Sequence, residues 1–284
     1  MAIKSKIDGN SRISLSDDQL FDQSTGNATG LDSTSGNTFI GYLAGQSVDA
    51  GSINNTFIGH GVGDATLSDA TGNVGLGAGA LSALTQGDKN VAIGLSAAAA
   101  LEDASSNVII GAEAGDALTS GASNVIIGQA ALGAADGAEH NNVVIGKSAG
   151  ESINHDNADN NILIGKDAGV GGSAAFTQNI GIGVQCMDSF GAEAMEACVA
   201  VGYQALRDPE TEANGTVALG HQALSACTTG DKNIAIGYQA AYQITTGYHN
   251  VIIGHGALDA ADGGENHNIA IGVDTLGSAN ENGV

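Results

Sequence analysis

A short run of apolar residues recurs along most of the chain, and each run is followed by a glycine and then by a polar stretch. One copy is "DKNVAIGLSAAAAL", residues 88–101. Regular self-similarity of this kind is typical of folds built from stacked repeats, so the repeat is the first evidence for the fold class. Aligned on the glycine after the run, the copies define fourteen units spaced by 17, 18 or 19 residues, at Gly41, Gly59, Gly77, Gly94, Gly111, Gly128, Gly146, Gly165, Gly183, Gly202, Gly220, Gly237, Gly254 and Gly272.

The apolar run predicts a short β-strand, because it is too short for a helix and rich in β-branched residues. Side chains alternate along a strand, so Val91 and Ile93 point one way and Ala92 the other. No unit has a polar residue at the Ala92 position. A strand that is apolar on both faces is buried on both. Since a coil of 17 to 19 residues has only one interior, we expect something outside the coil to cover the second face.

An asparagine stands four positions before the aligned glycine in twelve of the fourteen units, and Cys198 and Thr216 replace it in the other two. In coils stacked in register, these amides would hydrogen-bond one another along a column. Turn propensity is the alternative explanation, but the fixed register favours the ladder. The predicted ladder consists of Asn37, Asn55, Asn73, Asn90, Asn107, Asn124, Asn142, Asn161, Asn179, Asn233, Asn250 and Asn268.

The remainder of each unit predicts turns around a second, looser strand. Polar stretches such as "TTGDKN" carry residues suited to tight turns, and a weaker apolar position often falls seven residues after the aligned glycine. We therefore predict an all-β fold, a parallel β-solenoid of about fourteen coils, roughly 65 Å long. The sequence excludes three other solenoids. A hexapeptide β-helix would need aliphatic residues at every sixth position, and these do not recur. The motif of the calcium-binding nonapeptide roll is absent, and so is the regular threonine array of an ice-binding solenoid.

Composition narrows the classes of partner. The 284 residues carry a formal net charge of −23, and such a surface repels phosphate backbones and anionic membranes. We therefore predict no nucleic-acid partner, and no membrane insertion because no apolar stretch reaches the roughly 18 residues of a spanning helix. Cys186, Cys198 and Cys227 have no metal-ligand spacing. We interpret them as small buried hydrophobic residues of a protein made in a reducing compartment.

No constellation of residues predicts catalysis, a cofactor or a metal ion, so we expect the protein not to be an enzyme. His60 and His255 follow the aligned glycine, at a position where other units have large polar residues, which indicates an exposed edge. A column of acidic residues could bind calcium, although a solvated surface is the preferred interpretation. Four aspartates lie at equal register: Asp64, Asp116, Asp188 and Asp259. A polysaccharide depolymerase would need paired carboxylates and aromatic sugar platforms, and aromatic residues make up only 4% of the chain.

The run "NVAIG", followed three positions after its glycine by alanine, resembles the head repeats of trimeric autotransporter adhesins. Units such as "NTFIGYLAGQS" and "NIAIGYQAAYQITTGYHN" more closely resemble the repetitive shafts of phage tail fibres. The resemblance covers residues 37–284 and implies a left-handed β-roll in which three chains pack side by side. The neighbouring chains of this homotrimer would then cover the second apolar face, at Phe39, Phe57, Ala92, Ile109, Ile126, Val144, Leu163 and Ile252.

The resemblance predicts a structural function and two segments. Residues 1–36 are expected to cap the roll or attach it to a virion or base structure, with an unordered terminus as the alternative, and residues 37–284 to form the roll. No signal peptide, stalk or membrane barrel is recognisable. This favours a phage virion protein, made in the host cytoplasm, over a bacterial adhesin head on the extracellular surface. We expect a rigid shaft, or attachment to a host-surface glycan or protein.

Overall fold

The computed structural model describes residues 36–49, 51–172, 174–190, 194–209, 213–260 and 264–277. The described part of the chain is all-β and contains no helix. Apart from Gly36, the predicted N-terminal segment 1–36 lies outside the described residues. The strands are β1 (Thr38–Ile40), β2 (Ser47–Val48), β3 (Thr56–Ile58), β4 (Thr66–Leu67), β5 (Val74–Leu76), β6 (Val91–Ile93), β7 (Val108–Ile110), β8 (Val125–Ile127), β9 (Val143–Ile145), β10 (Ile162–Ile164), β11 (Phe176–Thr177), β12 (Ile180–Ile182), β13 (Met195–Glu196), β14 (Val199–Val201), β15 (Val217–Leu219), β16 (Ile234–Ile236), β17 (Val251–Ile253) and β18 (Ile269–Ile271).

Fourteen of these strands form one parallel sheet, one strand for each unit of the sequence repeat. Its order is β1-β3-β5-β6-β7-β8-β9-β10-β12-β14-β15-β16-β17-β18, so each strand pairs with the equivalent strand of the next unit. Val91 pairs with Val108, for example, and Ile93 with Ile110. This arrangement confirms the predicted parallel β-solenoid. The left-handed sense of the roll stays a prediction.

The predicted second strand is wrong for most of the described coils. Among the described residues, only β2 with β4 and β11 with β13 pair outside the main sheet, over two residues each. Elsewhere the segment after the aligned glycine folds into turns. Ser96 and Ala98 have φ angles of 54° and 52°, and Ala97 N donates a turn hydrogen bond to Gly94 O at 3.4 Å. Left-handed residues cannot continue a strand, so the second side of the roll is built from turns.

Hydrogen bonds still join neighbouring coils along this second side. Ala98 N donates to Ala114 O at 3.0 Å, and Ala100 N donates to Asp116 O at 3.0 Å. Every coil is therefore held to the next on both sides of the roll. Stability in such an array comes mainly from contacts between nearest neighbours.

The aligned glycine is required by the close approach of the next coil. Gly94 has a φ of 142°, a conformation that side chains other than that of glycine disfavour. A Cβ atom built there would lie 2.3 Å from the carbonyl oxygen of Gly111. The same approach recurs from coil to coil, which explains why this position is the least variable of the repeat.

Candidate functional site

The residues predicted to face a neighbouring subunit lie inside the chain's own core, and this prediction is corrected. Within a single chain, each of the eight is at most 5% exposed. The core consists of the central side chain of each strand of the main sheet together with apolar side chains from the turns, mostly leucine and alanine. Phe39, Phe57, Ala92, Ile109, Ile126, Val144, Leu163 and Ile252 are therefore core residues of the coil and not an intersubunit face.

The outward face of the main sheet, formed by the first and third residues of its fourteen strands, carries the uncovered apolar surface. These residues are half-buried or exposed throughout. Only Thr38 and Thr56 among them are polar, and all others are valine, isoleucine or leucine. At the last strand, Ile269 and Ile271 are 64% and 62% exposed. We expected one apolar face of each strand to need a cover from outside the coil. That face is the one formed by Val91 and Ile93, and not the one formed by Ala92.

The asparagine column forms the ladder that the repeat predicts, and its members are buried. Asn107 Nδ2 donates to Asn90 Oδ1 at 3.1 Å and to Gly121 O at 2.9 Å. Asn107 Oδ1 accepts the backbone N–H of Asn124 at 2.9 Å. The amides from Asn37 to Asn250 therefore do two things. Each closes its own coil through a carbonyl near the coil's end, and each links that coil to a neighbouring coil. Side chain to side chain bonds of this kind run from Asn55 to Asn179 and again from Asn233 to Asn250.

Cys198 and Thr216 interrupt the ladder but keep part of its bonding. The Cys198 N–H donates to Asn179 Oδ1 at 3.0 Å, and its thiol donates to Ala213 O at 2.8 Å. Thr216 Oγ1 donates to Gly230 O at 3.5 Å, and it accepts the backbone N–H of Asn233, in the next coil, at 3.4 Å. Both hydrogen bonds of Thr216 are long, because the threonine side chain is shorter than that of asparagine and its hydroxyl reaches less far. The coil of Thr216 is therefore closed less tightly than the coils that asparagine closes.

The three cysteines are free thiols in the core, as the sequence predicts. Burial raises the pKa of Cys186 to about 12, and it raises the pKa of Cys198 and of Cys227 to about 11. Such thiols stay protonated at neutral pH and are weak nucleophiles. They contribute packing rather than reactivity.

No cluster suited to a metal ion occurs in the described residues. Nowhere among them do three or more His, Cys, Asp or Glu side chains converge as potential ligands. Asp64, Asp116, Asp188 and Asp259 lie in units that are not adjacent, so they form no continuous acidic column. Burial raises the pKa of Asp188, and the carboxylates of Asp167 and Asp208 raise it further.

Two buried acids, Glu139 and Glu265, were missed by sequence reasoning. Glu139 is fully buried and stands in the turn that closes its coil, where its backbone carbonyl accepts from Asn124 Nδ2 at 2.7 Å. Burial raises the pKa of Glu139, and the nearby Asp156 adds to that effect. The equivalent position is occupied by Gly121 in the preceding coil and by Glu265 in a later one. Most residues at this coil-closing position are small, so a glutamate there was the feature of the sequence that could have indicated a buried acid.

The position after the aligned glycine is an exposed edge, as predicted. Tyr42, Tyr203 and Tyr238 are 59%, 44% and 45% exposed there, and Lys147 and Lys166 are exposed as well. This edge borders the outward apolar face, because it follows the strand by two residues. Its side chains therefore lie beside any neighbour that covers that face.

Comparison with known proteins finds no relative. No protein-family model matches the chain, and no curated protein or solved structure is significantly similar to it. No helix that could cross a membrane occurs in the part of the chain that the structure describes. The function is therefore inferred from the fold and its surfaces.

Proposed function

We propose that the protein is a non-enzymatic structural fibre or appendage protein whose chains assemble side by side through the outward face of the main sheet. The observation that carries the proposal is the chemistry of that face. Two columns run along fourteen adjacent strands and consist of valine, isoleucine and leucine, apart from Thr38 and Thr56 at one end. The face extends for roughly 65 Å at the spacing of β-strands.

An uncovered face of this size favours association. Soluble monomers rarely expose continuous apolar surface beyond a few hundred Å². The chain's own core is already filled by the central residue of each strand, with Ala92, Ile126 and Leu163 fully buried. No described segment of the chain lies over the outward face, since its residues keep partial exposure from β1 to β18. Further copies of the same chain, each with the same face, would bury it.

The number of copies in the proposal is three. The resemblance to trimeric adhesin heads and phage fibre shafts supports that number. A parallel arrangement in which the three outward faces meet around one axis would give each chain the same surroundings. The acidic character of the chain, −23 per copy, would then lie on the outside and keep the fibre soluble.

Rigidity is the property that such a fibre would supply. Backbone hydrogen bonds join each coil to the next in the sheet and in the turns, and the asparagine ladder adds side-chain bonds inside. The proposed role is that of a shaft, or of an element that holds a binding surface against a host cell. Assignment to a phage virion is supported by the resemblance and by the free cysteines, which suit assembly in a reducing cytoplasm.

The test is the absolute mass of the assembled protein in solution by light scattering. A mass near three times 27.9 kDa is expected. The double variant Val108→Asp/Ile127→Asp, which places two charges on the outward face, should shift the mass to that of one chain while circular dichroism still shows β-structure. Ser120→Asp, on an exposed return turn, is the control and should keep the wild-type mass. A wild-type chain of monomer mass would contradict the proposal.

A further inference from the structure

Four aromatic side chains form an exposed stack on the edge of the last third of the roll. The stack, called here the ring strip, consists of Tyr203, His221, Tyr238 and His255, which follow the aligned glycine in four successive coils. Neighbouring ring centroids are 5.1, 5.0 and 5.0 Å apart, and the ring planes differ by 26°, 14° and 13°. Tyrosine and histidine alternate, so phenol and imidazole edges are presented to solvent at a constant interval.

A ladder of glutamine side chains runs beside the ring strip. Gln204, Gln222 and Gln239 each donate one amide hydrogen to the glutamine of the preceding coil, at 3.1, 3.0 and 3.0 Å, beginning with Gln185 as the first acceptor. A primary amide has two N–H donors and two lone pairs on its oxygen. One donor and one lone pair of each inner glutamine therefore stay available to a ligand.

The backbone holds both rows in place. Gln222 N donates to Tyr203 O at 2.8 Å, and Gln239 N donates to His221 O at 2.9 Å. These bonds set the spacing of the two rows, while ring stacking and the glutamine side-chain bonds orient the side chains themselves. A ligand that binds such a preorganised surface loses little free energy to ordering the protein side chains.

The chemistry of the two rows selects a class of ligand. None of the four rings and four glutamines is a carboxylate or an ammonium group. The chain as a whole has a net charge of −23, which disfavours a polyanion. Aromatic rings with polar edges and side-chain amides suit hydroxyl-rich ligands, which both donate and accept hydrogen bonds. The repeat of about 5 Å between coils is comparable to the advance of an extended chain of sugar rings.

We infer that the ring strip and its glutamine ladder form a binding surface for an uncharged glycan chain lying along the long axis of the roll. The inference rests on the proposed function, because it supplies the attachment surface of a fibre. It assigns that surface to the last coils, since in this column the middle coils carry Gln129, Lys147, Lys166 and small or aliphatic residues instead of rings. The first two coils carry only one stacked pair, Tyr42 and His60, and no continuous strip of four rings.

The test is affinity electrophoresis of the full chain in native gels that contain hydroxyethyl cellulose, galactomannan or xylan, with heparin as the anionic comparison. At least one of the three neutral polysaccharides should retard the wild-type protein. The variant Tyr203→Ala/Tyr238→Ala should raise the apparent dissociation constant about tenfold or more. Tyr248→Ala is the control, because Tyr248 is also an exposed tyrosine but packs edge-on against His249 and His267, outside the strip.

Three results would overturn the inference: no retardation by any neutral polysaccharide, retardation by heparin alone, or equal retardation of wild type and Tyr203→Ala/Tyr238→Ala. Because the chain has no tryptophan, a change in tyrosine fluorescence on adding the polysaccharide is a second readout, and the double variant should lose most of it. Light scattering on the same samples separates the two proposals. A variant that keeps the assembled mass but loses retardation tests the glycan surface alone, whereas a monomeric wild type contradicts the fibre.

Discussion

Two stretches of the same column show how the roll is closed. From Asn55 to Asn179, each coil is closed by a buried amide that also bonds to the amide of at least one neighbouring coil. At Cys198 and Thr216, a thiol and a hydroxyl take that place, and the contacts of Thr216 lengthen to 3.4 and 3.5 Å. The main sheet nevertheless continues through both coils in register. The register therefore persists where side chain to side chain amide bonds are missing, and the asparagines add stability and closure.

The comparison also separates the two tasks of the amide. Closing a coil needs only a donor, which a thiol or hydroxyl supplies. Linking two coils needs both a hydrogen-bond donor and an acceptor that reach the neighbouring coil. Of the three side chains in this column, only the asparagine amide supplies both at the required length. Substitutions in the two stretches should therefore differ in size although they occupy the same column.

The largest effect is expected for Asn107→Ala. The substitution leaves Gly121 O and the Asn124 N–H without their partner inside the core and removes the acceptor of Asn124 Nδ2. Asn90 Oδ1 loses one of its two donors and keeps the backbone N–H of residue 107. The change should therefore lower the free energy of unfolding by about 3–5 kcal/mol. The matched change Thr216→Ala removes only long contacts and should cost about 1 kcal/mol. Denaturant unfolding, with hydrogen exchange of the neighbouring strands, measures both. Equal losses would mean that the ladder adds nothing beyond coil closure.

A smaller gain is expected for Thr216→Asn, which extends the ladder into the interrupted stretch. The new amide can donate to Gly230 O and accept from the backbone and side chain of Asn233, so the variant should be more stable by about 1 kcal/mol. Slower hydrogen exchange in β15 (Val217–Leu219) is the local measurement. Thr216→Asp is the control of similar shape: it lacks the donor and should destabilise. A stabilising Thr216→Asp would show that donation to Gly230 O is not the cause.

The smallest effect concerns the Cys198 thiol and pH. Its pKa is raised from 9.0 to about 11 by burial, so the unfolded chain loses this proton first, and the thiol's contribution to stability falls as pH rises from about 9 to about 11. Compared with Cys198→Ser, the wild type should lose up to about 1 kcal/mol more between pH 8 and pH 9.5. Unfolding midpoints at these two pH values measure the difference. Parallel pH profiles of the two proteins would exclude an effect of the thiol.

Much of the fold could be predicted because its information is local and repeated. The spacing of "N-V-A-I-G" defines the coil, and twelve asparagines in fixed register predict the ladder. The second strand was predicted from weak apolar positions such as Leu84 and Leu101. Both side chains are buried, so the apolar pattern was informative, but turns with left-handed residues place them there. Burial is visible in a sequence, whereas positive φ at residues such as Ser96 and Ala98 is not.

The candidate surfaces were less predictable. A strand with alanine between valine and isoleucine is apolar on both faces, so its sequence cannot say which face turns inward. Glu139 is similar: a glutamate before a polar turn predicts an exposed side chain, but the closing turn buries it. The ring strip consists of two tyrosines and two histidines. Successive members are about seventeen residues apart in the sequence, so their rings meet only when the coils stack.

The sequence by itself determined the repeat, the parallel register and the closing asparagines, because each depends on residue types at fixed spacing. Only the tertiary structure decided which side of each strand is the core. That choice follows from the direction in which the backbone turns after the strand, at a glycine whose φ is 142° in the coil of Gly94. The turn directs Ala92 into the interior, where it is fully buried, and leaves Val91 and Ile93 half-buried on the outward face for a neighbour.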